Sequence, residues 1–117
     1  MITNNNPIVE KSLDFAIRIV KLSRYLRTKK KEYVLSKQIL KSGTSIGANI
    51  AEAQRGQTKA DFVAKMSISL KEANETMYWL MLLYRTDILT TPEYESLYKD
   101  LDEILSLLTA ICKTATL

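Results

Sequence analysis

The sequence predicts an all-α protein that folds as an antiparallel up-down four-helix bundle, and three observations lead to this fold class. Four stretches carry apolar residues at the three- and four-residue spacing of an amphipathic helix. The connections between these stretches are short, which favours antiparallel neighbours. No stretch of useful length alternates apolar and polar residues with the period of two that predicts a strand.

The composition is that of one compact domain spanning residues 1–117. The chain has 117 residues, of which 46% are hydrophobic and 26% charged, as in an ordinary globular protein. The longest apolar run, residues 77–84, is far shorter than the roughly 20 residues that cross a bilayer. The N-terminus lacks the features of a signal peptide. Cys112 is the only cysteine, so we expect a cytoplasmic protein without an internal disulfide or a membrane partner.

Helices one and two are predicted from their ends and their apolar stripes. Helix one begins at Asn6-Pro7, a typical cap followed by a first-turn proline, and runs to about residues 27–30. Its core stripe is Ile8, Phe15, Ile19, Leu22 and Leu26. A second stripe widens its apolar surface beyond what a bundle needs: Val9, Leu13, Ala16 and Val20. Helix two runs from about residues 33–36 to Gln54, and Gly56 stands where a helix-terminating glycine is expected.

Helices three and four each open with a capping signal. Thr58 and Asp61 approximate a capping box at the start of helix three. Helix four opens with a threonine cap, a proline and an acid in residues 90–93. The stripe of helix three is Phe62, Met66, Ser69, Ala73, Met77, Leu80 and Tyr84. The stripe of helix four is Tyr94, Leu97, Leu101, Ile104, Leu108 and Ile111.

Helix two carries small residues on one face. Gly43, Gly47 and Ala51 are four residues apart and therefore share a face. Each glycine costs a helix about 1 kcal/mol relative to alanine, so we expect another backbone to approach closely here. A second row on the same helix is polar: Gln38, Ser45, Asn49 and Glu52.

Part of the apolar surface is not needed for the predicted core. Tyr78, Trp79 and Leu82 point away from the core stripe of helix three, as does the second stripe of helix one. Large apolar patches on a bundle indicate association, and tryptophan and tyrosine are enriched in interfaces. We therefore expect self-association. The alternative is that neighbouring helices and the termini cover these residues.

Positive charge is concentrated in the first third of the chain. Residues 1–41 contain ten lysines and arginines against three acids, whereas residues 42–117 contain seven against ten. The basic residues include Arg18, Lys21, Arg24, Arg27, Lys29, Lys30 and Lys31. Such a field attracts phosphate-rich partners. The alternative is that these cations offset a helix dipole and solvate a turn.

The sequence lacks the groups on which most enzymes of this size depend. It contains no histidine, which excludes Ser-His and Cys-His nucleophiles and the usual zinc and di-iron sites. In the predicted bundle Glu52 and Glu72 lie about 15 Å apart along the helices, too far to act as a catalytic pair. We expect Glu52 to meet Lys65, and Ser42 or Ser45 to hydrogen-bond Ser69 or Glu72. The sequence thus predicts no catalytic residue, metal or cofactor.

Residues 42–72 resemble the pattern of a known family, the four-helix-bundle proteins encoded within bacterial 23S rRNA intervening sequences. The matching residues are Ser42, Ser45, Asn49, Glu52, Phe62, Ser69 and Glu72. The resemblance implies a homopentamer of bundles with no assigned enzymatic activity. On the helical wheel these motif residues lie on inward or semi-buried faces, so we expect them to serve folding or assembly. The chain departs from the pattern at Ala53, where the family commonly has glycine, so we expect helix two to continue slightly further and stop at Gly56.

The chain is also similar to the accessory proteins of diversity-generating retroelements, which are basic pentameric bundles associated with reverse transcriptase and nucleic acid. Both resemblances imply an RNA or DNA partner, contacted through the seven basic residues given above and Arg55. With only Tyr25 and Tyr33 near them, contacts to phosphate should dominate over base stacking. The alternative hypothesis is a scaffold or adaptor, for example for a polymerase, that binds no nucleic acid itself.

Overall fold

The protein is described by a computed structural model over residues 6–116, in which four helices form. They are α1 (Pro7–Thr28), α2 (Leu35–Ala53), α3 (Lys59–Arg85) and α4 (Thr91–Ala115). No strand occurs within this range. Residues 1–5, on which the prediction of no signal peptide depends, and residue 117 lie outside the described residues. The starts of all four helices and the ends of α1 and α2 fall close to those predicted.

The helices form an antiparallel ring in which each helix contacts only its two neighbours. Helix α1 packs on α2, α2 on α3 and α3 on α4, while α4 returns to contact α1. The α2–α3 seam is the most extensive and the α1–α4 seam the least. This confirms the predicted up-down bundle, which measures 44 × 23 × 21 Å. We call the end with residues 29–34 and 86–90 the upper end, and the end with residues 54–58 the lower end.

The predicted stripes form the core. All five residues of the first stripe of α1 are buried, and Ile39, Ile46 and Ile50 of α2 are completely so. The centres of the other two stripes are also buried, apart from Met77, which is half-buried like the ends of both stripes. Each fully buried aliphatic side chain contributes about 1.5–3 kcal/mol relative to exposure, so the stripes dominate the stability of the bundle.

The starts of α3 and α4 follow the predicted capping chemistry. The Thr58 hydroxyl accepts a hydrogen bond from the Asp61 amide at 3.0 Å. Thr90 and Glu93 form a complete capping box, with reciprocal bonds of 3.3 and 2.8 Å. Asn6 occupies the cap position of α1 but makes no side-chain cap. Its Nδ2 instead donates to Oε1 of Gln54 at 3.3 Å, joining α1 to the end of α2.

The two helical glycines of α2 bring α1 close, each in its own way. A Cβ on Gly47 would lie 3.3 Å from the backbone oxygen of Ser12, so the predicted backbone approach is confirmed there. A Cβ on Gly43 would lie 2.9 Å from Cγ1 and Cγ2 of Ile19. Gly43 therefore makes room for a buried side chain and not for a backbone.

The predicted role of Gly56 is wrong. No glycine within the described range has a positive φ, so Gly56 does not end α2 in the left-handed conformation. Helix α2 ends at Ala53 and does not continue past it. A Cβ on Gly56 would lie 3.3 Å from the amide nitrogen of Phe62, so this glycine lets the start of α3 approach the turn. The left-handed positions belong to Lys31, with φ 55°, and Asp87, with φ 63°.

Candidate nucleic-acid interface

The basic segment is built on the upper turn, residues 29–34, which joins α1 to α2. The amides of Lys29 and Lys30 donate to the carbonyl oxygen of Tyr25 at 2.8 and 3.4 Å. The left-handed conformation of Lys31 reverses the chain, and the Glu32 amide then donates to the carbonyl oxygen of Leu26 at 2.9 Å. Helix α1 therefore ends in a hydrogen-bonded reversal.

The same turn starts α2. Val34 occupies the cap position and has no side-chain acceptor to offer. Oε1 of Glu32 accepts a hydrogen bond from the Ser36 amide at 2.8 Å, which places a carboxylate at the positive end of the helix dipole. The Ser23 hydroxyl donates to the backbone oxygen of Ser36 at 3.1 Å. These bonds fix the turn at both of its ends.

Five cations around this turn are exposed and form no ion pair with an acid of the described residues. They are Arg24, Arg27, Lys29, Lys30 and Lys31, and we call them the basic patch. Within residues 6–116 none of the five forms an ion pair. The ammonium group of Lys30 lies 5.9 Å from the centre of the Tyr25 ring. The patch therefore presents a cluster of five positive charges at the upper end, beside the single carboxylate of Glu32.

Of the other three predicted binding residues, Arg18 and Arg55 do not join the basic patch, whereas Lys21 lies about one helical turn before Arg24 on α1. Nη1 of Arg18 donates to Oδ2 of Asp100 at 2.6 Å, and Nη2 donates to the Ser96 hydroxyl at 2.9 Å. Arg18 therefore ties α1 to α4. Lys21 lines a cleft of about 370 Å³ between the same helices. Arg55 lies at the lower end, separated from the patch by the length of α1, roughly 33 Å.

The buried hydroxyl groups of the family motif join α2 to α3. The hydroxyls of Ser42 and Thr76 lie 2.9 Å apart, and both side chains are fully buried. The Ser69 hydroxyl donates to the backbone oxygen of Ile46 at 2.8 Å. The prediction that Ser42 bonds to Ser69 or Glu72 is wrong, because Thr76 lies one helical turn beyond Glu72 and faces α2 more directly.

The two polar residues that follow in the motif bond within their own helix. The Ser45 hydroxyl donates to the backbone oxygen of Lys41 at 2.6 Å. Nδ2 of Asn49 donates to the backbone oxygen of Ser45 at 2.8 Å. The prediction that Ser45 bonds across to α3 is therefore wrong, since its hydroxyl satisfies a carbonyl of α2 instead.

The carboxylates of the motif do not form a chemical centre. Glu52 pairs with Lys65 at 3.3 Å as predicted, but the Glu52 side chain is 61% exposed and not semi-buried. An ion pair this exposed contributes at most about 1 kcal/mol. Glu72 and Phe62 are half-buried. Within residues 6–116 no group of three or more cysteines and acids is placed to hold a metal, and none of the helices there is long and apolar enough to cross a membrane.

The predicted interface residues of α3 differ in exposure. Tyr78 is 61% exposed. Trp79 is half-buried on the core, and its Nε1 donates to Oε2 of Glu75 at 3.2 Å. Leu82 is also half-buried. The apolar residues of this group therefore do not form one uniform exposed patch.

A second exposed apolar surface lies on α1. Leu13, Ile17 and Val20 are 60%, 47% and 40% exposed. The sequence analysis missed Ile17, although its position between Leu13 and Val20 at helical spacing places it on their face. We call these three residues the α1 apolar face.

The fold and the site together define a small up-down four-helix bundle with an unpaired basic surface at one end. Residues 4–110 match the family model of the 23S rRNA-intervening sequence proteins, and the chain belongs to this family. A solved structure from Bacteroides thetaiotaomicron, described as a protein of unknown function from the S23 ribosomal protein family, is 57% identical. The match covers 91% of this chain and 98% of that one, with a TM-score of 0.89. Comparison with curated proteins finds no match.

Proposed function

We propose that this protein is a non-enzymatic, cytoplasmic oligomer that binds RNA or other nucleic acid through the basic patch. The observation that carries the proposal is the presence of five exposed cations within residues 24–31, none paired with an acid of the described range. Lys11, Arg18 and Lys65 form ion pairs elsewhere in the bundle, and the patch differs from the remaining cations of the described range in placing five without an ion pair within eight residues. The family name supports an RNA context, because it refers to an intervening sequence of an rRNA.

Binding by such a patch should depend strongly on salt. Each phosphate that a cation neutralises releases counterions and adds roughly 0.7–0.9 to the slope of log affinity against log salt. If all five cations engage, the slope is about −3.5 to −4.5 per chain. Phosphate contacts carry little sequence information, so preference among base sequences should be weak.

The test is a titration of a labelled structured RNA, followed by fluorescence anisotropy at roughly 50 and 200 mM salt. Lys29, Lys30 and Lys31 are changed together to glutamine. The matched control changes Lys59, Lys71 and Lys99, three exposed lysines on α3 and α4, to glutamine and so removes the same net charge elsewhere. The proposal requires the first variant to bind more weakly with a shallower salt slope, and the control to bind like the unaltered protein. Equal losses in both variants would contradict a localised site.

Self-association forms the second half of the proposal, and the exposed apolar side chains support it. The α1 apolar face and Tyr78 on α3 lie on different sides of the bundle, and monomeric proteins seldom expose such surfaces without a use for them. The family resemblance suggests a pentamer. Light scattering measures the mass directly, and Ile17→Glu, at an exposed site that tolerates charge, should lower it towards one chain. A single-chain mass for the unaltered protein at tens of micromolar would refute self-association.

A protein scaffold is the second candidate function, and the same exposed apolar surfaces favour it. A scaffold would leave the RNA titration without binding at either salt concentration. It would also copurify with a protein partner through α1 or α3, and Ile17→Glu or Tyr78→Glu would abolish that copurification. The two functions therefore predict opposite results in the RNA titration.

A further inference from the structure

We infer that the upper turn recognises unpaired RNA, with the Tyr33 ring stacking on one exposed base while the basic patch holds the adjoining phosphates. This inference rests on the proposed function and names its substrate class. The inference concerns Tyr33 and Val34, the two residues between Glu32 and the start of α2. Neither carries a charge, so contacts to phosphate do not account for their exposure.

Tyr33 and Val34 are presented outward by a backbone that is fixed on both sides. Their exposures are 59% and 69%, whereas the flanking Glu32 and Leu35 are half-buried. The Glu32 amide bonds to Leu26, its carboxylate bonds to the Ser36 amide, and the backbone oxygen of Val34 accepts from the Gln38 amide at 3.2 Å. The ring therefore sits on an ordered turn, which lowers the entropy lost on binding.

An aromatic ring beside free cations is the combination by which proteins bind single strands. The cations follow the phosphates, and the ring stacks on a base of any sequence. Bases inside a duplex are already stacked on one another, but those of a hairpin loop are free to be splayed out onto a side chain. The exposed Val34 adds apolar surface next to the ring.

Only one ring of the turn can serve in this way. Tyr25 is half-buried and has the Lys30 ammonium group near one face, 5.9 Å from its centre. Tyr33 has no hydrogen bond or ring contact within the described residues. The sequence led us to expect that base stacking contributes little. We therefore assign stacking to one base only, on Tyr33. Removing one stacked ring typically weakens binding about fivefold to 150-fold.

The experiment compares two labelled RNAs, a hairpin with an unpaired loop and a blunt duplex with the same stem, by anisotropy at roughly 50 mM salt. Tyr33→Ala is the test variant, Tyr33→Phe keeps the ring, and Tyr98→Ala is the control at another exposed tyrosine, on α4. We expect Tyr33→Ala to weaken hairpin binding by about fivefold to 150-fold and to leave duplex binding unchanged. Tyr33→Phe and Tyr98→Ala should bind both RNAs like the unaltered protein. Circular dichroism confirms that each variant is folded.

The outcomes separate the inference from the proposed function. Salt-dependent binding of hairpin and duplex with equal affinity, unaffected by Tyr33→Ala, would overturn the inference and leave the phosphate-binding proposal standing. An equal loss in Tyr33→Ala and Tyr98→Ala would also overturn it, because the contact would not be confined to the turn. Binding of neither RNA would overturn the proposed function itself, and binding only to vesicles of anionic lipid would assign the turn to a membrane surface instead.

Discussion

Replacing Gly43 with alanine tests how closely α1 packs on α2. The new Cβ would lie 2.9 Å from both Cγ1 and Cγ2 of Ile19 and 3.3 Å from its Cβ. An ordinary carbon–carbon contact is about 3.5–4.0 Å, so the methyl group would be roughly 0.6–1.1 Å too close. Ile19 is completely buried and branched at Cβ, and rotation about χ1 therefore cannot clear the space. Helix α1 must move instead.

The expected change in the free energy of unfolding is the difference between the cost of overpacking and the gain in helix propensity. Overpacking a core costs typically about 1–3 kcal/mol, while alanine stabilises a helix by about 1 kcal/mol relative to glycine. Gly43→Ala should therefore destabilise the unaltered protein by about 1 kcal/mol. In an Ile19→Ala background both Cγ atoms are absent, and the same substitution should stabilise by about 1 kcal/mol. The sign of the effect reverses, with a coupling energy of about 2 kcal/mol.

Urea unfolding measures this cycle through circular dichroism and the fluorescence of Trp79, the only tryptophan. A change in midpoint at constant slope reports stability alone. Each variant is compared at several protein concentrations, because self-association would add to the apparent stability. Effects that add to within about 0.5 kcal/mol would refute the packing argument, as would stabilisation of the unaltered protein by Gly43→Ala.

Three further substitutions test other parts of the structure. Lys31→Gly should raise the free energy of unfolding by about 0.5–1 kcal/mol, because glycine adopts a φ of 55° without steric cost. Thermal unfolding measures this change, and a lower melting temperature would contradict it. Thr76→Val should lower the free energy of unfolding by about 1–3 kcal/mol, because it leaves the buried Ser42 hydroxyl unpaired. Adding Ser42→Ala removes that hydroxyl and should recover part of the loss. A double variant whose loss equals the sum of the two single losses would argue against the hydrogen bond. Burial raises the pKa of Tyr94 above its ordinary 10.0, so the folded state retains the phenolic proton more tightly, and stability present below pH 10 falls as the pH rises beyond it. Tyr94→Phe should reduce the fall of the denaturant midpoint above pH 10, whereas Tyr33→Phe, the control at an exposed tyrosine, should not. Equal effects of the two substitutions would refute the role of Tyr94 in this pH dependence.

The fold was predictable because local signals and apolar periodicity agree along the whole chain. The Thr90–Glu93 capping box and the Thr58 cap are short-range features whose partners lie three residues apart, and both form as expected. The stripes are equally local, since a helix places residues three and four apart on one face. Short connections then leave an antiparallel ring as the simplest way to bury four stripes.

The candidate site was only partly predictable, because contacts between helices depend on register and rotation. The Glu52–Lys65 pair was found, but its exposure was misjudged. Ser42 was assigned the wrong partner on α3, since an error of one helical turn in the register of α3 against α2 exchanges Glu72 for Thr76. The exposed Ile17 was missed, because Leu13 and Val20 were grouped into one stripe with Val9 and Ala16, which are half-buried in the fold.

The sequence by itself determined the four helices, the stripes that bury them and the concentration of positive charge before residue 42. Which of those charges remain free was decided only by the tertiary structure. Arg18 is neutralised by Asp100, 82 residues away, because α4 returns to lie beside α1. The residues of the basic patch escape such pairing because they lie at the upper end, around the turn, where no acid of a neighbouring helix reaches them within the described range. Charge composition is a property of the chain, whereas charge compensation depends on which helices the fold makes neighbours.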